Sequence, residues 1–136
     1  MLNLLDKALQ AILKMLQKKD ERVLLWENAS PSSAFAPQTL TIANLSSYQW
    51  YEILYRFHTT GDMTLTESAE VGTGTVMNMC DMGSIYRRIV TYQANGLTIS
   101  SAEGTKISGV INIADNKYLI PAKIYGIKSS GGGQTS

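Results

Sequence analysis

The chain of 136 residues holds one cysteine, one histidine and three prolines. Cys80 alone can close no internal disulfide, which excludes a disulfide scaffold and a paired-cysteine metal site. Any Ser-His-Asp or Cys-His catalytic pair must be built around His58, and no neighbouring Ser, Cys or Asp marks itself as the partner. No run reaches the roughly 18 consecutive apolar residues of a membrane span. A formal net charge of +1 lacks the basic balance that nucleic-acid binding calls for. The apolar N-terminus is interrupted by Asp6, Lys7 and Lys14 and has neither a basic start nor a small-residue cleavage site. No signal peptide is therefore expected, and a route out of a cell would be another one, such as lysis.

Motifs for chemistry are equally sparse. Glu52, Asp62, Glu67, Glu70, Asp81, Glu103 and Asp115 are scattered, whereas a glycosidase needs two carboxyl groups roughly 5 to 10 Å apart across a cleft. No segment carries the alternating acidic ligands of an EF-hand, around Asp81 or Asp115-Asn116 included. The run Val71 to Val76 (VGTGTV) lacks both the Gly-Lys-Ser/Thr ending and the GxGxxG spacing of a phosphate loop, and reads as a glycine-bearing strand. Cys80, flanked by methionines, is expected to pack as a small hydrophobe. Arg56, Arg87 and Arg88 are expected on a solvated sheet face, within reach of carboxylates across strands. The expectation is a protein that is not an enzyme, with no catalytic residues, no metal and no cofactor.

What is present is an ordinary globular composition, 44% hydrophobic and 17% charged, in a length that suits one domain. Residues 2 to 19 predict a helix. Leu2, Leu5, Leu9, Ile12 and Leu16 recur at alternating spacings of three and four, the seam of a heptad pattern, and Lys7, Lys14 and Lys18 fall off it. Leu4, Ala8, Ala11, Leu13 and Met15 widen the stripe. Leucine at one seam position with isoleucine, Ile12, at the other favours three or four strands over two. A helix of about 18 residues is marginal alone and needs a partner surface. Three partners stay open at this point: other copies or a larger complex, the chain's own β-domain, or a membrane surface beside Lys14, Lys18 and Lys19.

After a charged hinge at Lys18 to Arg22, the pattern changes to short β-like runs. Val23 to Trp26 suits a first strand, and Asn28 to Pro37 is a loop punctuated by prolines. Gln38 to Leu45 alternates, with Leu40, Ile42 and Asn44 on one face and Thr39, Thr41 and Ala43 on the other. Trp50 to His58 is the clearest strand, with Tyr51, Ile53, Tyr55 and Phe57 along one face. Further runs are Glu70 to Cys80, Ile85 to Gln93, Leu97 to Ser101, Gly109 to Ala114 and Tyr118 to Ile127. Turn signals separate them at Thr60 to Asp62, Asp81 to Gly83, Asn95-Gly96, Glu103-Gly104 and Asp115-Asn116, and Asn95-Gly96 predicts a type I′ hairpin. About eight such strands predict a mainly β protein, an antiparallel sandwich or jelly-roll-like domain behind the helix. The domains expected are residues 1–21, 22–128 and a flexible tail at 129–136. Of the clustered aromatics, Tyr48 and Trp50 are the candidates for an exposed ligand-binding platform.

Three segments carry a likeness. They are LLWENASPSSAFAPQTLTIANLSSYQWYEILYRF (Leu24 to Phe57), RRIVTYQANGLTISSAE (Arg87 to Glu103) and NKYLIPAKIYGIK (Asn116 to Lys128). Their order, from a Trp and a Ser-Pro loop through a Tyr-rich strand to a closing Pro-x-Lys-Ile-Tyr-Gly-Ile-Lys strand, resembles small proteins of phages and prophages of Gram-positive and gut bacteria. The likeness spans roughly Leu24 to Lys128, and Ile120 to Lys128 is its most specific part. It implies a virion structural protein: a tail-fibre tip, a tail-associated module or a capsid decoration, often trimeric. It brings no catalytic motif. The partners implied are further copies of the chain, other virion proteins and a host surface glycan, with no nucleic acid. The expected function is host attachment by a trimeric surface module. The alternatives are a capsid-decorating head-fibre protein anchored by the helix and, from another class, a carbohydrate-binding module.

Overall fold

A computed structural model describes residues 3–17, 21–81, 83–106 and 112–128 of the chain. Among these residues one α-helix, α1 (Asn3–Gln17), precedes ten strands: β1 (Glu21–Glu27), β2 (Gln38–Thr41), β3 (Trp50–His58), β4 (Thr64–Glu70), β5 (Thr75–Asp81), β6 (Ser84–Gln93), β7 (Gly96–Ile99), β8 (Glu103–Lys106), β9 (Asn112–Ala114) and β10 (Tyr118–Lys128). One sheet runs β1-β10-β3-β4; the other runs β2-β7-β6-β8-β9, with β5 on the far edge of β6. Every pairing is antiparallel. This is the two-sheet sandwich behind a short helix that the strand pattern predicts.

Alternation builds the core. On β3, Tyr51, Ile53 and Tyr55 are buried, and they meet Met77, Val90, Leu97 and Ile99 of the second sheet together with Ile120 and Ile124 of β10. Two tyrosines also tie the layers together. The Tyr51 hydroxyl donates to the Thr73 carbonyl (2.7 Å) and the Tyr55 hydroxyl to the Asn78 carbonyl (3.4 Å), so each buries its ring without stranding its polar end. The proline-marked loop after β1 folds back over the sandwich: Asn28 bonds the Ala122 and Pro121 carbonyls, and the Phe35 N–H donates to Asn116 (2.9 Å). Phe35 thereby enters the core, edge-on to Trp26.

The register gives the domain two distinct ends. At one, Glu21 pairs Lys128, and Ile127 lies between Arg22 and Trp50, so α1 joins the sandwich there. At the other, His58 pairs Tyr118.

Several boundaries differ from the sequence reading, each for a local reason. Residues 64–70 form β4, a strand the alternation missed because Thr64, Thr66 and Ser68 are polar on the outward face. The run expected from Glu70 to Cys80 breaks at Gly72, whose φ of +100° makes a turn that L-residues resist. Gln38 to Leu45 is a strand only as far as Thr41, and a 3-10 turn follows at Leu45–Ser47. Glu103-Gly104 lies in β8 rather than in a turn; a Cβ on Gly104 would sit 2.7 Å from the Tyr86 ring. The Asn95-Gly96 hairpin exists, but Gln93 pairs Gly96, so its loop is Ala94-Asn95, and neither Asn95 nor Gly96 has positive φ. Glycine is needed at 96 for space instead: a Cβ there would stand 1.8 Å from the Leu40 carbonyl oxygen. Residues 109–111 of the run expected from Gly109 to Ala114, residues 18–20 of the hinge and the tail at 129–136 lie outside the described residues.

Arg88 is the largest correction. It is fully buried, where a solvated face was expected. It shares the inward register of Tyr86, Val90 and Tyr92, and its guanidinium finds backbone acceptors in place of a carboxylate. Its nitrogens donate to the carbonyls of Ser100 (2.8 Å), Asn116 (3.1 Å) and Tyr118 (3.2 and 3.1 Å). Leu119, the only described non-glycine residue with positive φ (54°), follows the carbonyl that accepts twice. Arg87 does meet a carboxylate, Glu103 at 3.9 Å, while Arg56 donates to the Pro31 and Gly61 carbonyls and to Ser32. Cys80 is exposed on β5 and does not pack inward; Met77, three residues earlier, takes the buried place.

Candidate functional site: the uncovered helix face and the outer sheet surfaces

An amphipathic helix in water is stabilised chiefly by what covers its apolar stripe. In α1 nothing does. Leu5 is 74%, Leu9 52% and Ile12 53% exposed, and the flanking Leu4 and Leu13 are 85% and 40% exposed. Of the five seam residues, Leu5, Leu9, Ile12 and Leu16 fall within the helix and Leu2 lies outside the described residues. The chain's own sandwich therefore leaves the described part of the stripe open. Burying one leucine or isoleucine is worth about 1.5 to 3 kcal/mol, so five exposed together leave a large driving force for association unused. No helix of the described chain is long and apolar enough to cross a membrane.

The outer face of the first sheet carries a second group beside the helix attachment. Trp50 and Leu24 are each 45% exposed. Between them the Arg22 guanidinium lies 3.6 Å over the Tyr125 ring and pairs with Glu52. Lys123 faces Glu27 at 3.8 Å at the far end of β1. Such exposed pairs contribute little to stability, and here they frame the aromatic surface. Tyr48 does not join it. Its ring covers Gly126, where a Cβ would come within 2.5 Å of it, and Gly126 pairs the inward-facing Tyr51. Tyr48 is half-buried over that glycine, with Lys128 Nζ 5.1 Å from its ring centroid. The two aromatics expected to form one platform lie on opposite faces of the sheet. The second sheet has its own exposed apolar side chains, Val76, Ile85 and Ile89, on the outward face of β5 and β6.

At the end remote from the helix, Tyr86 and Tyr118 stack at 3.7 Å and 9°, with Phe57 and His58 set edge-on to Tyr118. A hydrogen bond with Tyr86, followed by burial, pushes the Tyr118 phenol up to about 12. His58 Nδ1 accepts the Thr60 N–H at 3.1 Å and lies 3.0 Å from the Thr60 hydroxyl. The histidine is engaged with its own turn, and no described Ser, Cys or Asp bonds it. Among the described residues no three of His, Cys, Asp and Glu gather as metal ligands do.

The class defined by this geometry is a two-sheet antiparallel β-sandwich led by a solvent-exposed amphipathic helix. Beyond that class, no family model, no curated protein and no solved structure matches the chain.

Proposed function

We propose that this chain is a non-enzymatic virion structural protein in which α1 joins three copies and the sandwich is displayed outward for host attachment. The observation that carries the reading is the exposed stripe of α1, Leu5, Leu9 and Ile12 with Leu4 and Leu13 beside them, at heptad spacing and uncovered by its own domain. The likeness of Leu24 to Lys128 to phage-encoded modules supplies the setting. The two-ended sandwich fits it, since a helical bundle at the Trp50 end leaves the His58 end pointing away. Three joined copies present three weak faces together, which raises effective binding by about 10²-fold where the geometry lets all engage. In the capsid-decoration alternative the same stripe anchors each copy in the particle and the sandwich meets no receptor. Particle association is checked by banding phage particles from a producing lysate on a density gradient and assaying the fractions for this chain by mass spectrometry. The chain is expected in the particle band at a fixed ratio to the major structural proteins. Its presence only among free proteins at the top of the gradient would overturn the proposal.

A further inference from the structure

The outward face of β2, β7 and the β6–β7 turn forms an open groove of about 410 Å³, lined by Thr39, Thr41, Gln93, Ala94, Asn95 and Thr98. Its size falls within the range of small-ligand sites. Its chemistry is narrow: among the described residues its lining offers three hydroxyls, two carboxamides and one methyl, with no charged side chain and no aromatic ring. Hydroxyls and carboxamides both donate and accept, and they match a ligand that also does both while carrying no charge.

The backbone holds these groups in place. Leu40 is buried, so Thr39 and Thr41 on either side of it both point outward. Thr39 pairs Thr98 across the ladder, and their Oγ1 atoms are 2.8 Å apart. Only one of those hydroxyls can donate to the other, so the second keeps its proton for a ligand, and lone pairs remain on both. The turn at the head of the groove is tied down as well, because the Ile42 N–H donates to the Asn95 carbonyl at 2.8 Å. Gly96 lets the β2 and β7 backbones close to that distance. A site fixed this way loses little freedom when it binds.

We infer that this groove binds a neutral saccharide, the hydroxyl-rich unit of a cell-surface glycan. The inference rests on the attachment reading and names the surface that would serve it. It also moves recognition off Trp50, whose neighbours Arg22 and Glu52 are already paired with each other and Arg22 with the Tyr125 ring. The test is an amide-shift NMR titration of the full chain with galactose, glucose, rhamnose and N-acetylglucosamine, beside glycerol 3-phosphate as a charged control. The expected result is a saturable shift at Thr39, Thr41, Gln93 to Asn95 and Thr98 with at least one neutral sugar and none with the phosphate. A Thr41→Val/Thr98→Val variant keeps side-chain shape and strand preference; it should weaken that binding by about tenfold, the effect of one or two lost hydrogen bonds, at an unchanged melting temperature. No shift in the groove with any of the four sugars would overturn the inference, as would shifts centred on Trp50 or equal binding of the phosphate. A chain that binds sugar in the groove yet never bands with particles keeps this inference and loses the attachment reading, so the two fail separately.

Discussion

Arg88 shows how one side chain organises its neighbourhood. A buried guanidinium without a carboxylate is tolerable only if its N–H groups find other acceptors, and here three carbonyls from two separate segments accept four hydrogen bonds from it. It joins Ser100, where β7 gives way to β8, to the turn entering β10. Burial pushes the Arg88 guanidinium down to about 10, so it stays charged at neutral pH. Replacing Arg88 with Met should cost about 3 kcal/mol or more, since it leaves those carbonyls unmet, and Arg88→Lys should restore only part of that because one ammonium cannot span all three. Urea unfolding midpoints test both, and a loss under about 1 kcal/mol for the Met variant would contradict the role given to Arg88. Alkaline pH probes the buried phenols. Burial, with a smaller contribution from Tyr92, pushes the Tyr51 phenol up to about 12 from 10.0. A phenol raised in the folded state gives stability that is fully present below pH 10 and is lost as pH rises to about 12. Arg88 has the opposite sign, because the unfolded chain holds its proton longer, but Tyr51 and Tyr118 are both raised and should outweigh it. Melting temperature should therefore fall between pH 10 and 12, and Tyr51→Phe should flatten that fall. Neither feature was legible in the sequence: "RRIV" does not say which arginine faces inward, and the carbonyls that make Arg88 acceptable come from residues 12 to 30 positions away.

Elements were more legible where alternation was strong and both faces differed in polarity. Trp50–His58 agrees end for end with the reading, because Tyr51, Ile53 and Tyr55 recur at every second position and Glu52 and Arg56 mark the opposite face. β4 was missed because Thr, Glu and Ser outnumber its inward Leu65 and Ala69. The β6–β7 hairpin was found through Asn95-Gly96, yet the physical reason differs: at Gly96 the constraint is the nearby Leu40 carbonyl and not a positive φ. Gly96→Ala should accordingly destabilise by about 2 kcal/mol or more through forced separation of β2 and β7, where relief of glycine's backbone freedom alone would stabilise slightly. Chemical denaturation of the variant distinguishes the two signs. For α1 the heptad seam was legible, but what covers it was not, since no sequence pattern separates a stripe bound to its own domain from one left open. A Leu9→Asp/Ile12→Asp variant should leave the sandwich's near-ultraviolet circular dichroism unchanged, because those side chains are exposed and touch no part of the core.

At the scale of the molecule, the candidate sites fall into an order. The helix enters beside Trp50 and Leu24, and the Tyr86–Tyr118 stack closes the opposite end. The threonine groove lies on the outward face of the second sheet. None of this geography was available from residue order, since it depends on β1 and β10, at the two ends of the domain in sequence, pairing as neighbours. The central claim is that α1 joins copies. Light-scattering mass of the purified full-length chain, beside the Leu9→Asp/Ile12→Asp variant, tests it most directly. The account predicts three times the 14.9 kDa of one chain for the native sequence and a single-chain mass for the variant. A single-chain mass for the native sequence at every concentration would contradict it.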